Sequence, residues 1–208
     1  MFPGLPAPEV SEYLSHEASA SRYAEGTSFV IHRYNLMANT GTYLDAPRHR
    51  YPDGKDVVKL PLETMVDLPV VRLDVREHVK RGRKDVDASL IEPLDLNRCA
   101  LLVWTGWDEK WNQPDYLDHC PYLTEDAAEL LVKKEVALVG IDSWNVDDTQ
   151  DGRRPVHTVL LRAEIPIIEH MCNLGQLPAS GTRLHAAPLP IRGGSSMPVR
   201  VYAVCASQ

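Results

Sequence analysis

Ala100-Leu-Leu-Val-Trp-Thr105 is a short, unbroken apolar run, and Val136-Ala-Leu-Val-Gly-Ile141 repeats the pattern further along. A run of that length without alternation is the mark of a strand covered on both faces, as parallel strands are inside an α/β layer. Between the two, Ala127, Leu130, Leu131 and Val132 make a helical stripe ending near Lys134, and the Thr124 hydroxyl is placed to accept a first-turn N–H. Outward from this strand–helix–strand unit, Leu68–Val75 is β-rich and runs into a charged, solvated turn at Arg81–Lys84. Ala88–Pro93 suits a short helix and Val156–Ala163 a longer one, stopped by Pro166. Ser28–Met37 alternates as a strand, Ile165–Ile168 is apolar, and Pro198–Cys205 reads as one closing strand. Residues 1–26, rich in Pro, Ser and Gly, read as an irregular arm. No repeat or linker divides the chain, so the expectation is an α/β fold in a single domain spanning 1–208, with several buried strands in a mixed sheet.

The totals narrow the function classes. Of 208 residues, 44% are hydrophobic and 25% charged, as in ordinary globular proteins. A net charge of -7 argues against nucleic acid or an anionic membrane as partner, since phosphate binding needs a basic face. No apolar run approaches the roughly 20 residues that cross a bilayer, and the N-terminus lacks the pattern of a secretory signal. Cys99, Cys120, Cys172 and Cys205 are scattered without a CxxC pair, which points to reduced thiols and a cytoplasmic protein.

The stretch with most chemistry is Asn39-Thr-Gly-Thr-Tyr43-Leu-Asp45-Ala-Pro-Arg-His49. Gly41, Pro47 and Gly54 shape it as a loop, where reactive groups commonly sit on a rigid scaffold. Asp45 and His49 can orient one another, or Asp45 can hold a metal while His49, with an imidazole suited to proton transfer, moves protons. On the residues alone a third reading stands beside these: Asp45 accepts loop amides and His49 is a surface residue. Trp104, Trp107, Trp111 and Trp144 read first as packing. His119-Cys120, His16, His32, His78, His170 and His185 carry no clear chemistry, and Gly193-Gly194-Ser195-Ser196 reads as a flexible turn.

The loop resembles the signature His-x-Gly-Thr-His-x-Asp-x-Pro-x-His of the cyclase and kynurenine-formamidase-like hydrolases. It matches at Gly41, Thr42, Asp45, Pro47 and His49, with Asn39 and Tyr43 where the two loop histidines would stand. Further blocks follow in the family's order: Leu60-Pro-Leu-Glu63, Trp104-Thr-Gly-Trp107, Val139-Gly-Ile-Asp-Ser143, then His157 and Glu169. The resemblance runs from about Pro3 to the C-terminus. The Asp-Leu-Ser-His segment that opens the family is absent.

The resemblance implies a swivelling β/β/α-type domain with a central mixed sheet, and a homo-oligomer, dimer or tetramer, acting on a small molecule. It also implies that the loop histidines and the aspartate bind one metal, and the aspartate, later histidine and glutamate a second. Here Tyr43 replaces an imidazole with a phenol whose ionisation at pH 7 costs roughly 4 kcal/mol, and Asn39 offers only a neutral amide oxygen. The first metal position is therefore expected to be lost. What remains is either one divalent ion, zinc or manganese, on Asp45, His157 and Glu169 with His49 as the proton carrier, or a metal-free cluster. Trp107 and Trp111 are expected to line a pocket for a planar substrate, with Asn39. Three functions stay open: a hydrolase opening an amide, formamide or lactone-type bond of a small molecule, aromatic ones included; a metal-independent cyclase, dehydratase or isomerase using His49 and Tyr43; and a non-catalytic binding relative.

Overall fold

β6 (Ala100–Trp104) lies at the heart of an eight-stranded sheet, and its first four residues are completely buried. The computed structural model describes residues 7–178 and 180–205. Chain order begins with β1 (Glu9–Leu14), α1 (His16–Ala20), β2 (Ile31–Asn35), β3 (Tyr43–Asp45), β4 (Val66–Asp74), α2 (Arg76–Lys80), β5 (Asp85–Val86) and α3 (Ala88–Ile91). After β6 come β7 (Tyr122–Leu123), α4 (Glu125–Lys133), β8 (Leu138–Ile141), α5 (Pro155–Arg162) and β9 (Ile167–Glu169). β10 (Thr182–His185), β11 (Ser196–Pro198) and β12 (Tyr202–Cys205) close the chain.

The sheet order is β11-β3-β9-β8-β6-β4-β10-β12. β4, β6, β8 and β9 run parallel, and the strands outside them pair antiparallel. This is the expected mixed α/β architecture. Alternation along each central strand feeds two cores: Leu101, Val103, Val139, Ile141 and Ile167 pack under α3, α4 and α5, whereas Ala100, Leu102, Leu138 and Ile168 meet Leu44, Met65, Met171 and Leu184 on the other face. A two-sided core explains why these strands read as unbroken apolar runs. Gly140 lets two side chains pack closely, because a Cβ there would push against the Met171 sulfur and approach Leu102 Cδ2 to 2.9 Å, so both would have to move. Pro155 starts α5 where a missing N–H costs nothing.

Several expectations change. Residues 9–14 and 16–20, within the stretch read as irregular, form β1 and one turn of helix; residues 1–6 lie outside the described residues. β2 is shorter than Ser28–Met37 and pairs with β1 in a separate ribbon whose side chains are almost all exposed, so its alternation reflects no core. Pro198–Cys205 is two strands at opposite edges of the sheet: Ser196–Pro198 pairs with β3 and Tyr202–Cys205 with β10. Thr124 does sit at the α4 N-cap, but its hydroxyl bonds the Asp126 carboxylate and Val86 O and makes no cap bond. Among the described residues no helix is long and apolar enough to cross a membrane, and the four cysteines are unpaired.

Candidate active site

β3 is only three residues long, yet it sets the site. Leu44 points into the core, so by alternation Tyr43 and Asp45 face the other way together. Register then supplies their neighbours: Tyr43 stands opposite Glu169 on β9, and Asp45 opposite Ser196 on β11. The following 3₁₀ turn, Pro47–His49, brings His49 back over Asp45, with Nδ1 3.5 Å from Oδ1. The turn closes tightly because Gly54 has no side chain; a Cβ there would lie 2.7 Å from the Pro47 carbonyl carbon.

His157 arrives from the first turn of α5. Asp147 fixes it there: the buried carboxylate accepts Val156 N at 2.7 Å, His157 N at 3.1 Å and His157 Nδ1 at 2.6 Å. These bonds cap a helix start and assign the Nδ1 proton toward Asp147. Nε2 is left facing Asp45 Oδ2 and Glu169 Oε1, each 3.6 Å away, too far for a good hydrogen bond. Glu169 is otherwise engaged, accepting Val146 N at 2.7 Å on Oε1 and the Tyr43 hydroxyl on Oε2. Asp45 Oδ1 accepts from Ser196 Oγ and from Asn39 Nδ2 at 3.5 Å, whereas Asp45 Oδ2 is buried with no hydrogen-bond partner.

That orphaned oxygen is the test of fit for a cation. Two metal bonds of about 2.1 Å at a tetrahedral angle place their donor atoms about 3.4 Å apart. The 3.6 Å spacings from His157 Nε2 to the two carboxylate oxygens are close to that. Asp45, His49 and His157 also offer donor atoms all within 4.8 Å of one another. His49 is thus a second candidate third ligand beside Glu169. It differs in being partly open to solvent, with 34% of its side chain exposed, and in lying 3.1 Å from Ser196 Oγ through Nδ1.

The electrostatics agree. Burial opposes charge on His157, but the Asp147, Asp45 and Glu169 carboxylates overcome it and lift the imidazole to about 10. Burial, the leading cause, pushes Glu169 above the usual carboxylate range against the pull of His157. Burial and the nearby Glu169 and Asp45 carboxylates drive the Tyr43 phenol well upward, so it stays neutral and donates. Three buried carboxylates on one imidazole form a negative pocket that a divalent cation would offset.

Asp45, His49, His157 and Glu169 therefore meet, and Asn39 and Tyr43 line the same cavity of about 330 Å³ as His49, His157 and Glu169. The tryptophans are placed differently. Trp107 is buried against Tyr116 and Cys120, donates Nε1 to Tyr116 O at 2.9 Å, and does not line that cavity. Trp111 is half-exposed in a second cavity of about 370 Å³ with Tyr116 and His170. The two cavities are neighbours through the Tyr43 and His170 rings, 5.6 Å apart. His170, which looked featureless, is buried, bonds Tyr116 Oη through Nδ1 at 2.7 Å, and is pushed down to about 4 by burial. Cys120 is a packing residue whose thiol burial pushes up to about 11.

Asp147, Ser196, Arg50, Asn145 and Arg154 were not anticipated. Only Asp147 had a local cue, an acidic residue shortly before a proline-started helix that carries a histidine.

The Cyclase family model matches residues 7–148, which contain the loop 39–49 and the Val139-Gly-Ile-Asp142 strand end. The chain belongs to the Cyclase family. Among curated proteins, this Cyclase-family chain is 30% identical over 186 residues to the kynurenine formamidase of Bacillus thuringiensis (strain Al Hakam), covering 89% of this chain and 85% of the relative. Among solved structures it resembles isatin hydrolase A from Labrenzia aggregata bound to benzyl benzoate, with TM-score 0.81 and 26% identity over 99% of this chain and 87% of that one. It also resembles a potential metal-dependent hydrolase with cyclase activity, with TM-score 0.70 and 26% identity over 94% and 96%.

Proposed function

We propose that this chain is a hydrolase opening an amide-type bond, a formamide or a cyclic amide or lactone, in a small aromatic molecule. The observation that carries the reading is Asp45 Oδ2, buried without a hydrogen-bond partner and 3.6 Å from His157 Nε2. The names of the kynurenine formamidase and isatin hydrolase relatives supply the bond type and the aromatic character.

Asp45, His157 and Glu169 would hold one divalent ion, zinc or manganese. Such an ion supplies Lewis acidity, polarising a carbonyl oxygen and acidifying water. Asp147 holds the Nδ1 proton of His157, so Nε2 is the nitrogen that would give up its proton to hold the ion. His49, the member open to solvent, takes a proton from attacking water and returns one to the leaving nitrogen. Tyr43 positions Glu169 through its hydroxyl, which disfavours the metal-free alternative in which that hydroxyl serves the substrate. Trp111, with Tyr116 and His170, offers aromatic surface beside the reacting groups.

The chain is further proposed to act as a homo-oligomer in the cytoplasm on a small molecule, without nucleic acid or membrane. The β1–β2 ribbon exposes Val10, Tyr13, Ile31 and Tyr34, and a lone two-stranded ribbon is marginal in water. Four unpaired cysteines suit a reducing compartment.

The test is protein purified without added metal, assayed for ions per chain and for turnover of N-formylkynurenine and isatin before and after chelation. One ion per chain, chelator-sensitive turnover, and a His49→Ala variant that keeps the ion but loses turnover are expected. A metal-free protein indifferent to chelators would end this mechanism.

A further inference from the structure

Arg50 and Arg154 line the same cavity as Tyr43, His49, His157 and Glu169. Each guanidinium is anchored by a neutral partner: Arg50 Nε donates to Thr158 Oγ1 at 3.0 Å, and Arg154 Nη1 to Asn145 Oδ1 at 2.9 Å. Neither forms an ion pair among the described residues, a trait they share with most of the chain's arginines; what sets the two apart is that both line this cavity. The contrast with Arg153 is sharp, since that adjacent residue pairs with both Asp151 and Glu125. Arg154 also holds a left-handed backbone, φ 52°, at the N-cap of α5. A side chain other than Gly or Asn is strained there, and such strain is kept where surroundings over-determine it, often at binding sites.

We infer that Arg50 and Arg154 bind an anionic substituent, so that the substrate is an aromatic amide bearing a carboxylate. The inference rests on the hydrolase reading for the word amide, but not for the anion. A guanidinium held in place by a neutral acceptor keeps N–H donors and its full charge for a carboxylate, which it recognises with a fixed geometry. With Asp45, Asp147 and Glu169 buried beneath, an incoming carboxylate would otherwise be repelled. The competing role, that the two arginines only offset those buried charges, predicts no preference among ligands.

The experiment compares anthranilate with its neutral isostere 2-aminobenzamide by isothermal titration against the full chain, Arg50→Gln, Arg154→Gln and the double variant. Each variant's thermal midpoint serves as the folding control. Anthranilate is expected to bind about tenfold or more tightly than the amide, with the preference reduced in each single variant and lost in the double. In parallel, N-formylanthranilate is compared with its methyl ester, and the variants are expected to lower the acid-to-ester ratio of kcat/KM mainly through KM. Equal affinities in the native chain, or a preference that survives in the double variant, overturn the inference. Selective binding without hydrolysis of either formamide would uphold anion recognition and retire the hydrolase reading. Hydrolysis of both without selectivity would do the reverse.

Discussion

Tyr43 and Glu169 stand opposite each other on β3 and β9, and the phenol donates its proton to the carboxylate across the strand pair. Both side chains are buried at the cavity wall, so little solvent reaches the bond. Tyr43→Phe preserves the ring and removes only the donor. It should cost about 1–3 kcal/mol of stability, read by urea unfolding, because Glu169 Oε2 is left buried without a donor. A variant as stable as the native chain would show that the hydroxyl has no structural duty.

Asp147 acts on the site through His157. Asp147→Asn replaces one acceptor oxygen with an N–H₂ group, so the bonds to Val156 N, His157 N and His157 Nδ1 cannot all survive. Zinc affinity, measured by competition with a chromophoric chelator, should fall about 10–100-fold. The metal-free protein gives an independent readout: the His157 imidazolium, held up to about 10 in the native chain, should lose its proton at lower pH in the variant, as followed by ¹⁵N shifts of the ring. Unchanged affinity and unchanged shifts would remove Asp147 from the site.

Much of this arrangement is legible in the sequence. β6 and β8 announced themselves because packing on both faces leaves only apolar residues. α4 and α5 did so because one face of each meets the core. Asp45, His49, His157 and Glu169 stood out by motif, and the fold does bring them together. Ser196 could not be found that way: a serine after two glycines reads as a turn, and its place beside Asp45 exists only through the β11–β3 register. Arg50 and Arg154 look like surface charges until a cavity forms between them. Trp107 and Trp111 looked equivalent, because an aromatic residue in sequence says nothing about which cluster it will fill.

Those two tryptophans now separate. Trp107→Ala empties a buried site and should destabilise the fold by about 3–5 kcal/mol. Trp111→Ala, at a half-exposed cavity wall, should change stability far less while raising KM for aromatic substrates. Thermal unfolding and steady-state kinetics on both variants check the pair. Equal effects on both readouts would contradict the assignment.

Asp142 makes the fold pH-sensitive away from the site. Thr105 N, Thr105 Oγ1 and Gly106 N all donate to its carboxylate, yet burial outweighs them and raises it to about 7. Its pKa is thus higher in the folded chain than the ordinary value near 3.9. Its contribution is fully present below about pH 4 and is lost as pH rises through about 7, a change of order 3–4 kcal/mol. Asp142→Asn should be less stable at pH 4, but the difference from the native chain should shrink steadily towards pH 8. Urea midpoints from pH 4 to 8 test this; a constant difference would mean that Asp142 does not titrate in that window.

Asn39 and Tyr43 cap one oxygen on each of two carboxylates: Asn39 donates to Asp45 Oδ1 and Tyr43 to Glu169 Oε2. Both are neutral donors standing where the family signature has imidazoles, so they satisfy these oxygens without offering nitrogen ligands. Restoring the imidazoles should restore the ligand set. The double variant Asn39→His, Tyr43→His is expected to bind two zinc ions per chain by elemental analysis, against the one proposed for the native protein, since neutral imidazole binds zinc at pH 7 where a phenol does not. Each single variant should remain at one ion, because a lone histidine with Asp45 lacks the donors for a stable second site. If the double variant still holds one ion, something other than residues 39 and 43 limits the metal count.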